Sequence, residues 1–134
     1  MQLEENMYVR TKYGIFKIRK ITKDLAYWKH EKRVIELDRN IPEYNYRFSF
    51  YKDESIFKGA KFKNNIIDLI EVGDYVNGME VTRISGTRYD DNDLHCYCEH
   101  NGNENWKQVM IPANEIKSIV TKEQFESIKY SLEG

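Results

Sequence analysis

At 134 residues the chain is long enough for one domain, or for two small lobes, to bury a core without disulfides or a structural metal. Its 21 basic and 22 acidic residues leave a net charge of −1, which excludes a long-range pull toward nucleic acid or an anionic membrane, so a charged ligand needs a local patch. The opening MQLEENMYVR has acids where a signal peptide carries bases, no run approaches ~20 apolar residues, and the only cysteines are Cys96 and Cys98; the expectation is a cytoplasmic protein with no membrane partner.

In chain order, short runs rich in Ile, Val, Tyr and Phe alternate with turn-like clusters, the pattern of an all-β chain. Strands are expected near 7–11, 15–21, 25–29, 33–37, 44–51, 56–62, 74–76, 79–89, 94–100, 106–111 and 116–120. The stretches YVRTKYGIFKIRKI and YVNGMEVTRI share a Tyr-Val start and a turn with Gly14 or Gly78, followed by a strand ending at Ile21 or Ile84. Asn77-Gly78 is a strong hairpin signal, because both central residues of that turn need positive φ. The expected architecture is mainly β: one or two small SH3-like barrels or a strongly twisted antiparallel sheet. It is read as one domain over 1–134, with two related halves, 6–63 and 66–120. The chain should end in a helix over 122–132, where Thr121 and Gln124 form a capping box and Phe125, Ile128 and Leu132 share a stripe.

The stretch EYNYRFSFY sets Tyr44, Tyr46, Phe48 and Phe50 at alternate positions. On a strand these rings share a face, and the expectation is Phe48 and Phe50 in the core with Tyr44, Tyr46 and Arg47 at the rim. Rings beside a guanidinium suit a nucleotide, the ring stacking on the base and the Arg meeting phosphate in a bidentate fork. Trp28, Arg83, Arg88, Tyr89 and Trp106 lie in similar aromatic-rich strands and complete the candidate ligand-binding set.

Other constellations carry less. In LHCYCEH, strand alternation separates His95 from Cys96 and Cys98, so those residues and His100 cannot close on one ion, and two small buried thiols beside Leu94 are expected instead of a metal site. Asp90-Asp91-Asn92-Asp93 lacks the central Gly and closing Glu of a calcium loop and reads as a solvated hairpin tip. The three histidines have no nucleophile context and no phosphate loop is present, so no catalytic residue is assigned and no cofactor is expected.

The segments YVRTKYGI, IIDLIEVGDYVNG and IVTKEQFE, about half of the chain, resemble small accessory proteins of phages and prophages of clostridia and related Firmicutes, whose activities are mostly unassigned. Residues 38–63 lie outside that likeness. The resemblance implies an anti-defence protein in the cytoplasm of an infected bacterium, and brings no catalytic residues with it. Together with the rings and guanidinium groups it leads to the expectation of a non-enzymatic, oligomeric sponge for a nucleotide immune signal, a cyclic oligonucleotide or a cyclic ADP-ribose. The alternatives are an inhibitor docking on a host defence protein, of anti-CRISPR type, and a small-barrel nucleic-acid binder, against which the near-zero charge argues.

Overall fold

The computed structural model describes residues 3–24, 32–85, 93–99 and 106–126. The chain is mainly β, with two antiparallel five-stranded sheets and a short helix over 122–126. It divides into two compact units, Met1–Asn65 and Ile66–Gly134.

In the first unit, β1 (Tyr8–Thr11), β2 (Gly14–Asp24), β3 (Lys32–Ile41), β4 (Arg47–Tyr51) and β5 (Lys61–Lys63) stand in the order β4-β3-β2-β1-β5. In the second, β6 (Tyr75–Val76), β7 (Met79–Ser85), β8 (Asp93–Glu99), β9 (Trp106–Pro112) and β10 (Ile119–Val120) stand in the order β10-β6-β7-β8-β9. Counted from the first strand of each unit, the two orders are the same. Each unit also places a 3-10 turn between its fourth and fifth strands, Ser55–Phe57 and Ala113–Glu115. In each, the second strand shifts register against the third, between Ile18 and Lys20 and between Val81 and Arg83.

Of the expected alternatives, SH3-like barrels or an antiparallel sheet, the described residues form antiparallel sheets that do not close. Closure needs the end strands to pair, but β4 and β5 bound the first sheet, and β9 and β10 the second. With three and two residues, β5 and β10 each pair with a single neighbour, β1 and β6.

The first unit's core gathers Met7, Val9, Phe16, Ile18, Ile35, Leu37, Ile41, Phe50, Ile56, Phe57 and Phe62. Within β1, β2 and β5 the alternation of side chains sends these apolar residues inward: Phe62 is buried between exposed Lys61 and Lys63. The second unit buries Ile67, Leu69, Ile70, Val76, Val81 and Ile111, with Asp74 and Thr121 fully enclosed. There the capping box forms as the sequence predicts: Gln124 N–H donates to Thr121 Oγ1 at 3.3 Å, and Thr121 N–H donates to Gln124 Oε1 at 3.0 Å. Asp74 latches the same helix from outside it, accepting from Lys122 N–H at 2.9 Å and from Glu71 N–H at 2.7 Å.

Two expectations are corrected. Residues 44–51 are not one strand, because Pro42–Tyr44 is a 3-10 turn followed by Asn45 and Tyr46 at φ 55° and 60°, and β4 begins only at Arg47. The ring comb is therefore broken: Phe50 is 1% exposed, whereas Phe48 is 40% exposed and stands outside the core, with the Arg19 guanidinium 5.9 Å from its ring centre. Residues 56–62 likewise divide into the 3-10 turn Ser55–Phe57 and the short β5. The expected strand at 25–29, the end (86–89) of the strand expected over 79–89, and the helical positions Ile128 and Leu132 lie outside the described residues.

Candidate functional site

A cavity of about 270 Å³ opens in the first unit between the β1–β2 turn, Tyr44 and the Ser55–Phe57 turn, lined by Lys12, Tyr13, Tyr44, Ser55, Ile56 and Lys58. Each wall is fixed by local backbone chemistry. Thr11 Oγ1 accepts from Tyr13 N–H at 3.0 Å and donates to Gly14 C=O at 3.2 Å, which locks the turn carrying Lys12 and Tyr13. Pro42 starts the 3-10 turn with its preset φ, and the left-handed pair Asn45-Tyr46 closes it, with Tyr46 N–H donating to Ile41 C=O at 3.0 Å. That reversal lays Tyr44 back on the core edge-to-face, its centroid 5.3 Å from Phe50 and 5.4 Å from Tyr13. The Tyr44 hydroxyl meets Ser55 Oγ at 3.0 Å, tying the second wall to the third.

The electrostatics are those of a small cationic mouth over two phenol rings. Lys12 Nζ sits 5.7 Å from the Tyr13 ring centre, and Ile56 is the buried apolar floor. Burial pushes the Tyr13 phenol above its ordinary pKa, and the neighbouring Tyr44 phenol and Glu43 carboxylate push it further, so Tyr13 is a neutral hydrogen-bond donor at physiological pH. The lining thus brings two lysines, two tyrosines and a serine to one cavity, with the Tyr44 and Ser55 hydroxyls bonded to each other.

Of the sequence-predicted set, Tyr44 lines this cavity. Tyr46, 67% exposed, and Arg47 belong to the same unit but not to the lining. Arg47 is held elsewhere: its Nη1 and Nη2 fork onto Glu54 Oε1 and Oε2 at 3.1 and 2.9 Å, and its guanidinium lies 4.6 Å from the Phe50 ring centre. Arg83, exposed on β7 opposite His95, and Trp106, the first residue of β9, are in the second unit. Trp28, Arg88 and Tyr89 lie outside the described residues. Sequence reasoning missed Lys12, Tyr13, Ser55 and Lys58; the signal available was the pair of turns flanking them, since chain positions so far apart meet only through the sheet.

At the topologically equivalent place in the second unit, an asparagine bridges the turn and the connector. Asn77, in the β6–β7 turn, donates from Nδ2 to Glu115 C=O at 3.0 Å and accepts at Oδ1 from Lys117 N–H and Ser118 N–H at 2.8 and 3.1 Å. Its own N–H donates to Ser118 C=O at 2.9 Å. In the first unit the corresponding turn and 3-10 connector flank the cavity.

No protein family, no curated protein and no solved structure matches the chain. Among the described residues no helix is long and apolar enough to cross a membrane.

Proposed function

We propose that this chain is a non-catalytic binder of a nucleotide-type ligand, seated in the cavity of the first unit, and that holding the ligand deprives a nucleotide-signalled host defence of its messenger. The observation that carries the reading is the convergence of Lys12, Tyr13, Tyr44, Ser55 and Lys58 on one cavity. Lysines meet phosphate as point charges, and a phenol ring gives a base a stacking face worth about 1–3 kcal/mol. At about 270 Å³ the cavity falls just under the usual range for small-molecule sites, roughly 300–1,000 Å³. A cyclic dinucleotide would seat one base and leave the other outside. The anti-defence role rests on the likeness to phage accessory proteins.

A second reading, an inhibitor docking on a host defence protein, draws on the exposed rings of Tyr46 and Phe48 outside the cavity, since aromatic side chains beside arginine are typical interface anchors. Thermal shift against adenosine monophosphate, cyclic di- and trinucleotides and cyclic ADP-ribose isomers separates the two. A cognate ligand at 100 times its Kd adds ~2.7 kcal/mol of stability, and Tyr44→Ala together with Lys12→Ala abolishes the shift. A flat response to all of these molecules, with Tyr46→Ala disrupting capture of a defence protein, overturns the sponge in favour of the inhibitor.

A further inference from the structure

We infer that the Arg47–Glu54 pair is an edge guard: it occupies two outward hydrogen-bonding groups of β4, the Ser49 C=O and the Tyr51 N–H, and so prevents a second copy of the chain from adding its own β4 to the first sheet. β4 is an end strand of that sheet, and an end strand presents a row of unpaired N–H and C=O groups that another chain can use. The register shows which groups those are. Lys52 N–H donates inward, to Arg33 C=O on β3 at 3.0 Å, and Phe50 faces Ile35. In an antiparallel ladder the inward groups recur at every second residue. Ser49 and Tyr51 therefore direct their N–H and C=O groups away from β3, to the open side.

The pair meets one outward group of each residue, and the Tyr51 C=O is taken separately by the Glu54 backbone N–H at 3.0 Å. Arg47 Nη2 donates to Ser49 C=O at 3.1 Å, and Glu54 Oε2 accepts from Tyr51 N–H at 2.7 Å. The two side chains then grip each other through two bonds, at 3.1 and 2.9 Å. One donor and one acceptor thus stand where the backbone of an incoming strand would place its own N–H and C=O. The need is specific to this edge. At the sheet's other end β5 is three residues long, with Lys61 and Lys63 exposed, which already disfavours pairing. β4 has five residues, and one of them is the exposed apolar Phe48. The incoming strand is a second copy because β4 itself has the length and the apolar ring that an edge partner offers.

The guard differs from an ordinary surface ion pair in what it requires of each position: an acceptor at 54 for the Tyr51 N–H and a donor at 47 for the Ser49 C=O. Sedimentation velocity over a concentration series tests it on the full chain. Glu54→Ala is expected to tighten self-association by roughly tenfold or more, while Glu54→Gln, which keeps an acceptor oxygen, sediments as the parent does. The swap of Arg47→Glu with Glu54→Arg retains opposite charges but puts a donor against a donor, and is expected to associate like Glu54→Ala. Adding Ser49→Pro to Glu54→Ala removes the outward N–H and should reverse the association, because proline is tolerated where a strand's N–H faces away from its sheet. Hydrogen exchange of the Tyr51 amide is a second readout if Glu54→Ala folds poorly: it is protected in the parent and loses that protection in dilute Glu54→Gln far less than in dilute Glu54→Ala. A folded Glu54→Ala that sediments as the parent does, association that survives Ser49→Pro, or a Tyr51 amide that exchanges freely in the parent overturns the proposal.

Discussion

Phe50 and Phe48 are two residues apart and chemically identical, yet their surroundings give them opposite expected effects. Phe50 packs edge-to-face on Tyr44 and, with centroids 6.2 Å apart, on Phe57. Phe50→Ala is expected to cost about 3–5 kcal/mol in urea denaturation, since it removes transfer energy and leaves a cavity that the surrounding rings cannot fill. Phe48→Ala, on the surface under Arg19, is expected to cost less than about 1 kcal/mol. Equal costs would contradict the burial assigned to the two rings. Tyr13 makes a pH prediction at the same scale. Its phenol has a raised pKa in the fold, so above the unfolded value the folded state holds more protons than the unfolded one, and stability falls as pH rises through the alkaline range. Below the unfolded value the phenol is neutral in both states and adds no slope. Between about pH 9 and about pH 11 the urea midpoint of the parent should therefore fall more steeply than that of Tyr13→Phe; parallel slopes would refute it.

At the scale of elements, the β6–β7 turn owes its form to one asparagine. Asn77 holds φ 52°, which asparagine tolerates better than most residues, and its side chain makes three bonds to the connector at Glu115, Lys117 and Ser118. Two substitutions separate these roles. Asn77→Gly keeps the backbone conformation and loses the bonds, for an expected loss of about 1–3 kcal/mol; Asn77→Ala loses the bonds and adds strain of about 1–2 kcal/mol. Chemical denaturation that ranks the two variants equally would mean that the left-handed backbone is not held in the fold. Much at this scale was legible beforehand. The Asn77-Gly78 turn, the capping box and the strand character of β1, β2, β7, β8 and β9 all follow from local chemistry, because turn residues and period-2 alternation act within a few positions. The strand expected over 44–51 formed only from Arg47 to Tyr51, because alternation reports which positions are apolar, not whether the backbone between them reverses. Pro42 was the local sign that it does, and the left-handed Asn45-Tyr46 pair completes the reversal. The cavity was illegible for a different reason. Tyr44 and Ser55 are 11 positions apart and Tyr13 is further still, and no periodicity links residues whose meeting depends on the order of strands.

The whole molecule repeats a five-strand order twice, and each repetition buries its own residues. Every member of the first core cluster lies between Met7 and Phe62, within the first unit, while Val76, Val81 and Ile111 are enclosed in the second. Local opening follows such boundaries, because an amide exchanges when the hydrogen bonds and packing of its own cooperative unit give way. Native-state hydrogen exchange on Phe50→Ala should then show the Ile18 and Ile35 amides losing protection by about the full cost of the substitution, ~3–5 kcal/mol, with the Val81 amide little changed. The ligand experiment has the converse form. A nucleotide seated against Tyr13 and Tyr44 raises protection in β1 to β5 and leaves β6 to β10 as they were, since binding energy stabilises only the unit whose opening would release the ligand. If Phe50→Ala lowers protection equally in both sheets, the two units open as one, and a ligand at the first unit would also govern the stability of the second.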